Sequence, residues 1–363
     1  MKILHIINSL ATGGAEKLIV ETLPLYAKRG LQADLLLLNG AEHPFLQKLT
    51  SKNCCHIYNV GSSSVYNPLN ILKIIPYLKK YDLVHVHLFP AQYWVVMAKL
   101  LSFSKTELIF TEHNTTNRRL ENPIFEFIDR WIYQFYTSVI AITPEIKTLL
   151  LKHTGLSETR FTVIENGVNL SVIQNATALP KTELSSFISE FDTVLIQIAA
   201  FREQKDQKTL IRTMQLLPDF YKLILVGVGP LKTECENIVT ELGLKNRVVF
   251  LGSRMDVPAL LKTADIVVLS SKYEGLSLSS IEGMASGKPF LASDVPGLTE
   301  VVKGAGILFS QGDETQLAKE VMRLATDPIH YKSVAAACQR RAADYDISKM
   351  VDEHIKLYQS LTK

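Results

Sequence analysis

The chain has 363 residues, of which 47% are hydrophobic and 21% are charged. A single hydrophobic core stops growing at about 250 to 300 residues, so two domains are expected, and this composition excludes extended disorder. The net charge of +3 is too small for a nucleic-acid-binding protein, which usually carries a clustered basic face.

The first residues predict a strand and no signal peptide. The apolar run from Ile3 to Ile7 spans about five residues, whereas a signal-peptide core needs roughly 7 to 15. No stretch approaches the roughly 18 uninterrupted apolar residues of a membrane span. The four cysteines have neither zinc-ligand nor disulfide-scaffold spacing. A reducing, cytoplasmic location is therefore expected, with at most peripheral contact at the inner face of the membrane.

Short apolar runs alternate with segments of helical period along the first half of the chain. They cover residues 3–7, 33–38, 83–88, 108–111, 139–142 and 161–164. Runs that are continuously apolar are typical of strands covered on both faces. The pattern therefore predicts a doubly wound parallel sheet with helices on both sides.

The same pattern is then repeated. The second series covers residues 194–199, 223–226, 248–251, 266–269, 290–293 and 307–309. Between the two series, residues 169–189 are polar and contain Pro180, which is typical of a linker. The chain ends on a predicted amphipathic helix over residues 347–361. The sequence thus predicts two Rossmann-like domains, residues 1–170 and 171–345.

The first candidate for chemistry is the Gly13-Gly14 pair, between the first strand and the first helix. Glycines at such a turn let backbone N–H groups approach an anion at the positive end of the helix. The alternative is that they serve only the tight turn. A dinucleotide-binding site is disfavoured, because no third glycine follows in register and Asn39 stands in the region where a ribose-binding acid is expected.

The second candidate is a pair of cations, Arg202 and Lys205, directly after the first strand of the second series. Residues three apart on a helical turn can face one point, as a diphosphate requires. A solvated charged turn is the alternative. The position at the carboxyl end of a strand favours the binding interpretation, since open α/β sheets hold ligands there.

The third candidate is the segment from Glu274 to Gly287. Glu274 precedes a predicted helix and Glu282 lies inside it, so two carboxylates bracket a helix N-terminus. Carboxylates accept hydrogen bonds from sugar hydroxyls, and the free N–H groups of the first turn can hold phosphate. A surface acid and a helix-facing acid with structural partners would be the alternative.

These three motifs, in this order and spacing, resemble the retaining glycosyltransferases of family 4, which have the GT-B fold. Further matches lie at residues 111–114, 165–168, 226–230 and 251–257, so the resemblance covers nearly the whole chain. It implies two Rossmann-like domains facing each other across a cleft. Residues 1–170 would bind the acceptor, with residues 346–363 returning to that domain, and residues 171–345 would bind the donor.

The resemblance also implies roles for individual residues. Arg202 and Lys205 would neutralise the donor diphosphate, helped by the backbone of Gly13 and Gly14. Glu282 would hold the ribose, and His113 would contact the sugar. The remaining donor-binding positions are Gly229, Arg254 beside the base, and the run Glu274, Gly275, Leu276, Ser277 and Leu278 around the sugar and its phosphate.

The activity implied is transfer of a hexose from a UDP- or GDP-sugar to a glycan or lipid-linked acceptor, in cell-surface polysaccharide synthesis. The family's chemistry retains the anomeric configuration, and the leaving phosphate accepts the acceptor's proton. Two alternatives are a nucleotide-sugar epimerase of the same fold and a non-catalytic nucleotide-sugar-binding protein. Product analysis separates all three.

Two further segments carry a structural and a functional interpretation. His85 and His87 point to the same side of a strand and could suggest a metal, but the sequence shows no third ligand. We favour strand-end histidines with no metal and no cofactor. The aromatic segment 123–136 could dock on a membrane. Its residues Phe125, Ile128, Ile132 and Phe135 recur at core spacing, which favours packing in the first domain.

Overall fold

The computed structural model describes residues 1–11, 13–113 and 123–362. The chain divides into two compact units, one formed by Met1–Gly167 with Ile347–Lys363 and the other by Val168–Asp346. The division thus falls between Gly167 and Val168, and the end of the chain belongs to the first unit.

The first unit is built on one parallel sheet of seven strands. They are β1 (Lys2–Ile7), β2 (Gln32–Leu37), β3 (Ile57–Asn59), β4 (Leu83–His87), β5 (Glu107–Glu112), β6 (Ser138–Ala141) and β7 (Phe161–Val163). Their order across the sheet is β3-β2-β1-β4-β5-β6-β7. All six predicted strands of this unit are confirmed. The edge strand β3 was not predicted, because its three residues are exposed or half-buried and form no apolar run.

Helices pack on this sheet. They are α1 (Gly14–Lys28), α2 (Pro44–Lys52), α3 (Asn70–Leu78), α4 (Ala91–Ser102), α5 (Pro123–Tyr133) and α6 (Pro144–Thr154). Local signals bound α6 clearly: the Thr143 side chain accepts a hydrogen bond from the N–H of Ile146, and Gly155 ends the helix in the left-handed region at φ +67°.

The second unit repeats the plan with a parallel sheet of six strands. They are β8 (Thr193–Ile198), β9 (Tyr221–Val226), β10 (Val248–Gly252), β11 (Ile266–Leu269), β12 (Phe290–Ser293) and β13 (Ile307–Phe309). Their order is β10-β9-β8-β11-β12-β13. Every predicted strand of this series is confirmed, and with it the doubly wound α/β class.

The helices of the second unit complete the fold. They are α7 (Leu170–Gln174), α8 (Gln207–Thr213), α9 (Lys232–Glu241), α10 (Val257–Thr263), α11 (Leu278–Ala285), α12 (Thr299–Val302), α13 (Glu314–Thr326) and α14 (Pro328–Ala342). The last helix, α15 (Ile347–Leu361), has the bounds that its apolar period predicts. It packs on α1 in the first unit, where Arg29 pairs with Asp352 at 2.7 Å.

The strand order reverses beside β1 in the first sheet and beside β8 in the second. Where the strand order reverses, the loops after the two neighbouring strands run to opposite faces of the sheet and leave a crevice between them. Open α/β proteins bind ligands in this crevice, at the carboxyl ends of the strands. The loops after β1, β4, β8 and β11 are therefore the candidate ligand-binding loops. Of the helices in the described ranges, none combines the length and the apolarity needed to cross a bilayer.

Candidate active site

The loop after β8 presents the two predicted cations. Residues Glu203–Lys205 form a single 3-10 turn, and α8 begins only at Gln207. Arg202 and Lys205 thus lie on a helical turn directly before α8, and the left-handed backbone of Asp206 (φ +44°) separates this turn from the helix. Arg202 is exposed and Lys205 is half-buried.

Hydrogen bonds join this turn to the loop that follows the neighbouring strand β11. The N–H of Lys272 donates to the carbonyl of Gln204 at 2.8 Å, and the Gln204 side chain donates to the carbonyl of Tyr273 at 2.9 Å. The Ser270 hydroxyl donates to the carbonyl of Asp206 at 2.8 Å. Hydrogen bonds thus hold the two loops together at the carboxyl ends of adjacent strands.

At their junction, Lys205 meets Glu274. The lysine Nζ lies 2.5 Å from Oε1 of Glu274, and the same oxygen accepts a hydrogen bond from the Ser271 hydroxyl at 2.6 Å. The glutamate is only 8% exposed. A carboxylate that is buried needs such partners to remain charged. The structure therefore brings one predicted cation and one predicted carboxylate into direct contact.

Helix α11 begins next to this pair. Its N-cap is Ser277, whose hydroxyl accepts a hydrogen bond from the N–H of Ser280, so the helix starts at Leu278. The preceding residues Gly275 and Leu276 link Glu274 to the cap. The N–H groups of a first helical turn have no partner within the helix and attract anions. Glu274 thus stands beside a potential phosphate-binding helix end.

The second predicted carboxylate, Glu282, is inside α11 and buried. Its helix is pressed onto the sheet at Gly283, where an added Cβ would lie 2.7 Å from the ring of Phe290. A second close approach occurs at Gly297, which has φ +82° and whose Cβ would lie 2.2 Å from the carbonyl oxygen of Glu274. Both glycines therefore hold the Glu274 loop and the helix in position.

Gly229 lies against Phe201, directly before the turn of residues 202–205 that carries Arg202 and Lys205, which we call the cation turn. A Cβ at this position would lie 2.4 Å from the carbonyl oxygen of Phe201, so only glycine fits. The N–H of Phe201 donates to the carbonyl of Val228 at 3.1 Å, and the N–H of Leu231 donates to the carbonyl of Phe201 at 3.1 Å. The observed role of Gly229 is thus to anchor the residue before Arg202.

Arg254 follows β10 and forms a bidentate ion pair with Asp256. Nε of Arg254 lies 2.8 Å from Oδ1 of Asp256. The hydrogen bond between them raises the pKa of Arg254 and lowers the pKa of Asp256. Both side chains are more than a third exposed, so the pair contributes little stability. The guanidinium of Arg254 is therefore oriented by the carboxylate of Asp256, two residues later in the same loop.

In the first unit, the Gly13-Gly14 turn begins α1. Gly13 is the N-cap residue, and its carbonyl accepts from the N–H of Lys17 at 3.0 Å. The carboxylate of Glu16 folds over this turn and would lie 2.2 Å from a Cβ on Gly13. Burial raises the pKa of Glu16, against a smaller opposing effect of a backbone hydrogen bond. A side-chain larger than hydrogen at residue 13 would displace this carboxylate.

His113 follows β5 and is part of a cluster of histidines. Its Nε2 lies 3.1 Å from Nδ1 of His87, and Nε2 of His87 lies 3.1 Å from Nδ1 of His5. His5 stands opposite His85 in the register of β1 and β4, so the rings line one face of the sheet. Helices α1 and α15 cover that face with Tyr26, His354 and Tyr358.

Burial gives these histidines an unusual protonation behaviour. Desolvation lowers the pKa of His5 to about 3, of His113 to about 4 and of His354 to about 3. It also lowers the pKa of His85 and of His87 well below the ordinary value, with smaller contributions from neighbouring histidines. All five rings are therefore neutral near pH 7.

A third histidine, which the sequence pattern did not reveal, lies beside His85 and His87. His5 comes from a strand 80 residues earlier, and each of the three rings offers a nitrogen within 4.8 Å of the others. These residues could hold a metal ion by distance alone. However, both nitrogens of His85 already bond to Tyr358 and Thr111, at 2.6 and 2.7 Å, and His5 and His87 bond to each other. The geometry is that of a hydrogen-bonded cluster.

Several residues of the site could not be found by motif. Ser271 and Gln204 hold Glu274 and the cation turn, and His5, Tyr26 and Tyr358 surround His85. The one available signal was position: Ser270 and Ser271 are the polar residues directly after β11, at a carboxyl strand end. The contacts of α15 with the histidines carry no sequence signal.

Two family models match the chain and together span both units. Residues 12–172 match the model described as Glycosyltransferase Family 4, and residues 182–341 match the model described as Glycosyl transferases group 1.

Curated relatives agree with these matches. The putative glycosyltransferase EpsF of Bacillus subtilis is 25% identical over 323 residues, which is 85% of this chain and 82% of that protein. The UDP-Gal:alpha-D-GlcNAc-diphosphoundecaprenol alpha-1,3-galactosyltransferase of Escherichia coli is 26% identical over 298 residues, covering 77% and 76% of the two chains.

Among solved structures, Anabaena HepE in complex with UDP and glucose matches with a TM-score of 0.85 and 22% identity, over 99% of this chain and 100% of that one. WaaG, a glycosyltransferase involved in lipopolysaccharide biosynthesis, matches with a TM-score of 0.73 and 16% identity, over 98% and 99%. At these identities the likeness shows the GT-B fold. With both family models matched in sequence and the fold in agreement, this chain belongs to the family 4 glycosyltransferases and is a glycosyltransferase enzyme.

Proposed function

We propose that this enzyme is a retaining hexosyltransferase that uses a UDP-sugar, or by the same chemistry a GDP-sugar, as its donor. The observation that carries the proposal is the contact between Lys205 and Glu274 beside the N-terminus of α11. A cation, a carboxylate and free N–H groups within one pair of joined loops suit the diphosphate and the hydroxyls of a nucleotide sugar. HepE, which shares the fold, has been solved with UDP-glucose.

In this proposal the second unit binds the donor. Arg202 and Lys205 stabilise the negative charge that develops on the leaving diphosphate, together with the amides of Leu276, Ser277 and Leu278 at the start of α11. Glu274 and Glu282 accept hydrogen bonds from the sugar and the ribose. His113, Gly13 and Gly14 of the first unit are proposed to act on the transferred sugar and the diphosphate, and Arg254 on the base.

The reaction is a same-face substitution. The bond between the sugar anomeric carbon and the diphosphate oxygen breaks, and a bond forms between that carbon and an acceptor hydroxyl oxygen. The acceptor proton passes to an oxygen of the leaving phosphate, and the anomeric configuration is retained. No metal or cofactor takes part in the proposed chemistry, since the cations and amides supply the stabilisation of the leaving group.

The donor is tested by ligand-dependent stability. A ligand present at about 100 times its Kd stabilises the folded protein by about 2.7 kcal/mol, so UDP should raise the unfolding temperature of the second unit in calorimetry. The UDP-sugar and GDP-sugar series then identifies base and sugar, and product analysis with an added acceptor detects transfer. Failure of every nucleotide diphosphate and nucleotide sugar to shift the transition, with no transfer, would contradict the proposal.

We further propose a glycan or lipid-linked acceptor in cell-surface polysaccharide synthesis, met at the cytoplasmic face of the membrane. Helix α5 supports this. On the face with core spacing, Ile132 is buried while Phe125, Ile128 and Phe135 are half-buried. A second apolar stripe is exposed: Ile124, Phe127 and Trp131 are 69%, 78% and 42% exposed. Residues 1–175 also carry 17 Lys and Arg against 13 Asp and Glu, which favours an anionic surface.

Vesicle binding tests the membrane contact. Replacing Phe127 with serine should weaken co-sedimentation with vesicles that contain anionic phospholipid by about tenfold, because burying a phenylalanine side chain contributes about 1.5 to 3 kcal/mol. The matched control is Phe191→Ser in the second unit, an aromatic residue that is even more exposed (96%), which should bind like the wild type. Equal binding of both variants would exclude α5 as the docking surface.

A further inference from the structure

Three histidines form a continuous row, of which His5 and His87 are buried and His113 is half-buried. Nδ1 of His5 contacts Nε2 of His87, and Nδ1 of His87 contacts Nε2 of His113, each at 3.1 Å. The rings of His5 and His87 are nearly parallel, 11° apart, with centroids 5.4 Å from each other. Within the described ranges, the two outer nitrogens, Nε2 of His5 and Nδ1 of His113, have no hydrogen-bond partner.

The row constrains where its protons lie. A neutral imidazole has one N–H donor and one bare nitrogen acceptor. Both contacts in the row are satisfied only if all three rings carry the proton on Nδ1 or all three carry it on Nε2. In any mixed arrangement, two N–H groups or two lone pairs face each other in a buried site, which is costly.

The surroundings hold the row in place without adding a charge to it. His85 is the nearest ring, 4.2 Å from His87 by centroids, and both of its nitrogens bond to hydroxyls, those of Tyr358 and Thr111. Tyr26 stacks on His5 and bonds to His354 at 2.7 Å. Neutral partners on β4, β5, α1 and α15 thus fix the rings.

We propose that His87 and His5 are positioning residues that set the tautomer of His113. In the state with protons on Nδ1, His113 offers an N–H at its outer nitrogen, and in the other state it offers a lone pair there. The hydrogen bond that His113 can make to a sugar hydroxyl is therefore coupled to the tautomer of His5, which is two contacts away. The link to sugar binding rests on the proposed function; the coupling of the tautomers does not.

The test is a long-range 1H–15N spectrum of protein labelled with 15N-histidine, with His5, His87 and His113 assigned by substitution. Nδ1–H and Nε2–H tautomers have distinct nitrogen shifts, and we expect the three rings to share one tautomer. A mixed set in the wild-type protein would overturn the proposal. This measurement needs a variant for assignment only, so an unstable variant does not remove the test.

A functional comparison uses two changes at one position. His87→Asn keeps a hydrogen-bonding group near Nδ1, whereas His87→Phe removes it. We expect His87→Phe to change the nitrogen shifts of His113 and to lower the kcat of sugar transfer by about tenfold or more, with the donor KM little changed and with rescue by His87→Asn. The matched control is His354→Phe, an equally buried ring outside the row, which should leave the His113 tautomer unaltered.

The outcomes separate the two proposals. If the three tautomers agree but no nucleotide sugar is turned over, the proposed function fails and the coupling stands. If transfer occurs and the His113 shifts do not respond to His87→Phe, or respond equally to His354→Phe, the positioning role is wrong.

Discussion

Replacing Lys205 with methionine is expected to lower kcat/KM for the donor by about a thousandfold. Removing one preorganised group that stabilises developing negative charge costs about 10² to 10³ in rate, and a full cation in contact with Glu274 belongs at the upper end of that range. Steady-state transfer kinetics with the donor identified by calorimetry measure the effect.

The same change should also destabilise the second unit, because Glu274 is 8% exposed and keeps only the Ser271 hydroxyl of its two observed partners. The double variant Lys205→Met/Glu274→Gln removes the uncompensated charge. We therefore expect it to regain stability in calorimetry and to remain inactive, which distinguishes a catalytic role from a structural one.

Lys208→Met is the control for Lys205→Met. Lys208 lies on α8 just after the cation turn and pairs with Glu234 at 2.6 Å. It carries the same charge but makes no contact with Glu274, so its loss should leave turnover within about twofold. If Lys205→Met also retained wild-type turnover, the assignment of the diphosphate site would be wrong.

The second large effect is a loss of stability of the first unit in mild acid. An unfolded histidine has a pKa of about 6.5, whereas burial lowers the pKa of His5 to about 3, of His113 to about 4 and of His354 to about 3. The stabilisation from the neutral rings is fully present above pH 6.5 and is lost as the pH falls toward the folded values. At pH 5.5 each ring should cost about 1.4 kcal/mol, and these three rings about 4 kcal/mol.

Intrinsic fluorescence measures this change in the first unit alone, since both tryptophans, Trp94 and Trp131, lie there. Urea unfolding followed by fluorescence should show a lower midpoint at pH 5.5 than at pH 7.5. The second unit contains a single histidine, His330, so its calorimetric transition should move much less.

The exposed His56 supplies the matched variant. His56→Gln should show the same difference between the two pH values as the wild type, whereas His354→Gln should reduce it. Equal urea midpoints at pH 5.5 and 7.5 in the wild type would show that the histidine cluster is accessible to protons, which would contradict its burial.

Patterns along the chain were enough to predict those parts of the structure that depend on neighbouring residues. Continuous apolar runs predicted twelve of the thirteen strands, and the apolar period of residues 347–361 predicted the last helix. The same local patterns placed Lys205 after β8 and Glu274 before α11, because strand ends and helix starts are defined by nearby residues.

Which of these residues meet depends on how distant segments pack. His5 joins His85 because β1 lies beside β4 in the sheet, although two other strands separate them in the chain. Lys205 reaches Glu274 because β8 and β11 are neighbours. Strand order and side-chain direction are set by packing between distant segments, and a pattern read along the chain contains no information about that packing.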